Sequence, residues 1–154
     1  MATLTAVNPR IVSGPTPTTV RKLIKNGASW KAGQFLIDDT GLAAAKSNAV
    51  NIKYQAITDQ TDPGNTTTFA EVYVIDPDHV FRINELDGTV SAANIGKLYS
   101  VDVTSNVCTV DVADNNTPCF VMVDVGSNRS PVEFADVDVK GVCYVRFIQS
   151  VLDT

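Results

Sequence analysis

Three side chains that could do chemistry sit within four residues of each other in "VYVIDPDHVFRI", residues 72–83: Asp76, Asp78 and His79, the last being the only histidine of the chain. Two carboxylates beside an imidazole could ligate a metal or serve as an acid/base group. The same four residues, Asp-Pro-Asp-His, are also type I turn chemistry, with Asp at the first position and Pro at the second. Alternating apolar residues flank them on both sides. The local reading is a hairpin over residues 69–86 with His79 at its tip and no catalytic role.

Other candidates weaken on spacing. Asp59, Asp62 and Asn65 in "DQTDPGN" lack the D-x-D-x-D-G run and terminal Glu of a calcium loop, and Asp and Asn build turns on their own account. Asp102, Asp111 and Asp124 each lie between valines, which places them on the solvent face of half-buried strands, opposite Val101/Val103, Val110/Val112 and Val123/Val125. Cys108, Cys119 and Cys143 are an odd set in Val-rich segments, without CxxC spacing, and read as reduced, buried thiols. No G-x-S-x-G elbow, P-loop or G-x-G-x-x-G run occurs. The sequence therefore predicts no enzyme, no cofactor and no metal site.

The elements around these residues are mostly strands. "FLID", "VNIKYQAIT", "FAEVYVI", "VFRINEL", "KLYSVDVT", "VCTVDVA", "CFVMVDVG" and "KGVCYVRFIQSV" are short apolar or alternating runs, separated by Gly, Pro, Asn and Asp turns. "GLAAAKS" is the one helix-friendly piece, about two turns long, and "DGTVSAANIG" holds a turn and one helical turn. The expected fold is mainly β: a small β-barrel or sandwich domain over residues 29–154, with at most one or two short helices. Residues 1–28, "MATLTAVNPRIVSGPTPTTVRKLIKNGA", contain Pro9, Pro15 and Pro17, which excludes a helix or a central strand. They read as an extended N-terminal arm with edge-strand pieces near Ile11–Val12 and Val20–Ile24, with little of its own domain to pack on and so either loosely ordered or laid along a partner.

The 154 residues suffice for one packed core. Net charge is −5, but residues 1–53 carry +5 and the remainder −10. An acidic chain is a poor nucleic-acid binder, and no apolar run is long enough to span a bilayer. The opening residues lack a signal peptide's basic-then-apolar design, so folding in the cytoplasm is expected. The basic front suits docking on an acidic neighbour. Its placement nominates Arg10, Arg21, Lys22 and Lys25 as partner contacts, by charge alone. Trp30, at the junction of arm and domain, either anchors an interface or caps its own core.

"WKAGQFLIDDTGLAAA", "VNIKYQAITD", "VYVIDPDHVFRIN", "NIGKLYSVDV", "PCFVMVDVG" and "GVCYVRFIQSV", spread over residues 29–150, resemble the small capsid decoration (cement) proteins of tailed bacteriophages. The resemblance implies a mainly β chain that assembles as a homotrimer on the capsid exterior. Its arms would clamp neighbouring subunits of the major capsid protein after shell expansion. It transfers no binding residues position by position. A tail, baseplate or fibre-associated β module, and a small carbohydrate- or calcium-binding β domain, are the alternative expectations.

Overall fold

The computed structural model describes residues 6–128 and 141–153. The strands are β1 Arg10–Ser13, β2 Thr18–Leu23, β3 Phe35–Asp38, β4 Leu42–Ala44, β5 Ile52–Ala56, β6 Phe69–Val74, β7 Val80–Asn84, β8 Leu98–Thr104, β9 Val107–Asp111, β10 Phe120–Val125 and β11 Val142–Phe147. Among the described residues, helix is confined to α1, Gln149–Leu152, and to single 3₁₀ turns at Ala92–Asn94 and Gly126–Asn128. The strands form two antiparallel sheets, ordered β1-β7-β11-β10-β8-β9 and β2-β6-β5-β3-β4. The chain is thus mainly β, as the turn-punctuated alternation predicts.

Between the sheets lies the larger core. Phe35, Phe81, Phe120 and Phe147 meet there with ring centroids 4.9–5.9 Å apart, mostly edge to face, surrounded by Ile52, Ile83, Val110, Met122 and Val145. Each such ring stabilises the fold by about 1.5–3 kcal/mol through burial, with a further ~0.5–1.5 kcal/mol from ring geometry. A second, smaller core of Ile24, Trp30, Leu36, Leu42, Tyr54 and Val72 lies on the other face of the five-stranded sheet. In β10 the register shifts between Met122 and Asp124. This bulge turns Met122 and Val125 inward and leaves Val123 half-buried beside Asp124, so the strict alternation expected there breaks by one residue.

Three expectations are corrected. The edge-strand pieces expected in the N-terminal segment form, but they pair within this domain, one in each sheet, where an arm with little of its own to pack on was expected. β1 pairs with β7, Arg10 opposite Arg82, while β2 pairs with β6 along its whole length, from Thr18 opposite Val74 to Leu23 opposite Phe69. Both are edge strands, where missing proline N–H groups cost nothing. Their partners lie 46 or more residues away in sequence, beyond the reach of local pattern. Pairing is reinforced by side chains: Gln55 Nε2 donates to the Pro9 carbonyl at 2.8 Å, and the Asn8 amide accepts from Cys108 N and donates to Asn106 O, both at 2.9 Å.

The hairpin expected over 69–86 does not form either. β6 belongs to the five-stranded sheet and β7 to the six-stranded one, so Asp76–His79 is a crossover between layers. Finally, the helix-friendly "GLAAAKS" supplies β4, paired with β3 through a turn in which Thr40 (φ 53°) and Gly41 (φ 130°) are left-handed. Leu42 is fully buried in the second core, and that burial overrides alanine's helical preference.

Candidate functional site

The crossover at Asp76–His79 is the place to test for chemistry. A tight turn forms because the His79 N–H donates to the Asp76 carbonyl at 3.0 Å and the Asp78 N–H to Asp76 Oδ1 at 2.8 Å. The His79 ring is 1% exposed, and both nitrogens are engaged. Nδ1 accepts the Asp76 N–H at 3.0 Å, so Nε2 carries the proton and donates it to the Pro15 carbonyl at 2.9 Å. An imidazole with both nitrogens committed to backbone has no lone pair or proton to offer a substrate. His79 instead clips the β1–β2 connection onto the crossover, with Phe81 edge-on to its ring at 6.2 Å. An open cleft of about 290 Å³ lies beside it, lined by Pro15, Thr16, Thr18, Val74, Asp76 and His79.

Most of the other candidate aspartates hold backbone, while Asp102 holds hydroxyl groups. Asp62 Oδ1 accepts from Gly27 N and Gly64 N at 2.9 Å, and Asp59 Oδ1 from Ala32 N at 2.8 Å. Asp102 takes the Thr104 hydroxyl at 2.7 Å, Asp111 the Ala113 N–H at 3.0 Å, and Asp124 the Val125 N–H at 2.9 Å. Among the described residues no three His, Cys, Asp or Glu side chains gather as a metal-binding group. The thiols are free and buried. Burial, first among the causes, pushes Cys108 up to about 12 and raises Cys119 and Cys143 as well, so none is poised as a thiolate.

Sequence reasoning missed Glu85. This glutamate is fully buried at the end of β7, where Oε2 accepts the N–H groups of Asp87 (2.7 Å) and Thr89 (2.9 Å), and Oε1 that of Val112 (3.4 Å). Its backbone also receives Gly88 N–H and donates to the Gly141 carbonyl. The carboxylate substitutes for a strand where the ends of β7 and β9 meet, at the Glu85–Val110 bridge. "NELDG" could have flagged it, because an acid followed at short range by Asp-Gly is a loop-organising pattern.

The nominated partner contacts divide. Trp30 is 3% exposed, packed in the second core with Nε1 donating to Thr58 O at 3.1 Å, so it caps its own domain and offers no interface anchor. Lys25 is bound to Asp39 at 2.6 Å, which holds the Asp39 carboxyl below its ordinary range. Lys22 lies half-buried with Nζ 5.7 Å from the Tyr54 ring centroid. Arg21 is exposed, its guanidinium 5.1 Å from the ring centroid of Phe69, itself 49% exposed. Arg10 is exposed on β1, on the other sheet. The structure therefore brings Arg21, Lys22 and Phe69 together at one sheet edge and leaves Arg10 apart.

No helix among the described residues is long and apolar enough to cross a membrane. No family model matches the chain, and no curated protein and no solved structure proves similar to it.

Proposed function

We propose that this chain is a virion structural protein that binds the outer surface of a phage capsid as an oligomer, a trimer in the simplest arrangement, and cements neighbouring major capsid protein subunits. The observation that carries the reading is the surface of β2 and β6. An exposed cation on the edge strand β2, Arg21, rests on a half-exposed aromatic of the neighbouring strand β6, Phe69. Arginine and aromatic side chains are what protein interfaces concentrate at their centres. The segments that resemble decoration proteins supply the paired strands β3, β5, β7, β8, β10 and β11. His79 is spent on backbone, as are the carboxylates of Asp59, Asp62, Asp76, Asp111 and Asp124.

Cementing needs only binding. Several weak contacts summed through one rigid oligomer give avidity without any single strong site. Cosedimentation of the purified chain with expanded and unexpanded capsids, beside sedimentation velocity of the chain alone, tests the reading. The expected result is an oligomer that pellets with expanded shells. A monomer that leaves them bare overturns it. A label found on the tail in electron micrographs would favour the tail or baseplate alternative.

A further inference from the structure

The hydrogen-bond polarity of β2 leaves one edge of the five-stranded sheet open. Ile24 N–H donates to Thr68 O at 2.8 Å, and the β2–β6 register places Lys22, Val20 and Thr18 in phase with it. Residues two apart in a strand point their backbone groups the same way, so Thr18, Val20 and Lys22 face β6 while Thr19 and Arg21 face outward. Among the described residues, nothing accepts from or donates to the outward N–H and C=O groups of Thr19 and Arg21. The open run has defined ends. Pro17 precedes it without an N–H, and beyond Leu23 the Lys25 N–H is taken by Leu42 O at 3.0 Å, at the parallel Ile24–Leu42 bridge.

We propose that this edge accepts an added β-strand, supplied by an extended acidic segment of a partner protein. Backbone groups provide the pairing, as in strand addition to other open sheet edges. Charge selects the occupant. Both faces of β2 carry a cation, Arg21 leaning over Phe69 of β6 on one and Lys22 over Tyr54 of β5 on the other, so an incoming strand runs beside positive charge on either face. Glu71 stands opposite Arg21 in the ladder, but Lys22 is opposite Ala70 and has no acid across from it. Leu23, half-buried at the end of β2 opposite Phe69 of β6, gives the incoming segment an apolar neighbour. The inference rests on the docking reading above for the partner's being a protein, and it assigns the contact to a backbone edge.

The experiment uses the intact chain and a fluorescein-labelled eight-residue peptide alternating Val and Asp. Controls are the peptide with Lys for Asp and the Val/Asp peptide with a central proline. Fluorescence anisotropy should show binding of the acidic peptide alone. Amide exchange should show new protection at Thr19 and Arg21. Arg21→Pro removes one outward donor and no β2–β6 hydrogen bond, so it should melt close to wild type and lose binding at least about tenfold. Arg21→Glu keeps the backbone and should also bind more weakly; it carries the test if the proline variant does not fold. No peptide binding, binding unaffected by both variants, or equal binding of the Lys peptide overturns the proposal, the cations then serving only to keep the edge unpaired. Self-association abolished by Arg21→Pro, without peptide binding, gives the edge to a second copy and also overturns it. On expanded capsids, Arg21→Pro pelleting as wild type refutes the strand edge and spares the capsid reading. Peptide binding without capsid binding does the reverse.

Discussion

His79 Nε2 and the Pro15 carbonyl, 64 positions apart in sequence, meet at 2.9 Å and fasten the connection between β1 and β2 to the crossover between the sheets. Gly14 makes the approach possible. A Cβ there would lie 2.6 Å from the Asp78 carbonyl oxygen, and the backbone φ of 111° disfavours any other residue.

The clip is structural, so its loss should cost stability. His79→Ala removes a buried ring, leaves a cavity and strands the half-buried Asp76 N–H and the Pro15 carbonyl, which should cost about 2–4 kcal/mol. Gly14→Ala should cost about 1–3 kcal/mol by strain against Asp78. Urea midpoints at constant slope measure both. A change below about 0.5 kcal/mol for His79→Ala would contradict the clip.

Glu85 should be intolerant of shortening. Glu85→Ala removes a fully buried carboxylate and leaves the N–H groups of the exposed Asp87 and Thr89 and the half-buried Val112 without their acceptor, at a cost of about 1–3 kcal/mol. Glu85→Gln keeps one acceptor oxygen but sets an NH2 group against an N–H, so it should fall between wild type and the alanine variant. Amide exchange of Asp87 and Thr89 should rise in both variants. Unchanged exchange would show that the carboxylate does not hold this loop.

The three thiols should resist iodoacetamide at pH 8 in the folded protein and react fully in guanidinium. Their alkaline behaviour has a definite sign. Burial raises the folded-state value of Cys108 from 9.0 to about 12, so above pH 9 the unfolded chain releases a proton that the folded one retains. Stability should therefore fall as pH rises from 9, by about 2 kcal/mol per thiol near pH 10.5. A Cys108→Ala variant should lose part of that slope in urea titrations. A slope equal to wild type would place the thiol in contact with solvent.

Lys25 and Asp39 form an exposed pair whose effect is on titration. Hydrogen bonding and charge from Lys25 lower the Asp39 carboxyl below its ordinary 3.8. The pair's contribution is present above that value and disappears as pH falls through the lowered folded-state value. In Lys25→Ala, carbon-detected NMR should find Asp39 titrating at higher pH than in wild type. Coincident curves would mean that the two side chains separate in solution.

Legibility followed distance along the chain. The strands of residues 98–111 alternate on either side of the polar Ser105–Asn106 turn, as their sequence predicts, and with both turn residues left-handed they pair as the β8–β9 hairpin. The buried thiols were equally readable, because Cys in a Val-rich run has little else to do. The same logic applied to "IDPDHV" produced a hairpin that does not exist. Asp-Pro turn chemistry specifies a reversal of the chain but not whether the next strand joins the same sheet or the facing one.

The amino-acid sequence by itself determined a mainly β chain, since the period-two runs and Gly/Pro/Asn/Asp turns act over a few residues. It also determined that prolines 9, 15 and 17 confine the N-terminal segment to sheet edges. Only the tertiary structure decided that this segment pairs with β7 and β6, that Trp30 is core, that Glu85 is buried, and that Arg21 and Lys22 share one open edge. Each of those outcomes depends on groups distant in sequence meeting in space. Backbone hydrogen bonds and apolar burial reward any such meeting alike, so the choice among partners is made by the packing of the whole domain.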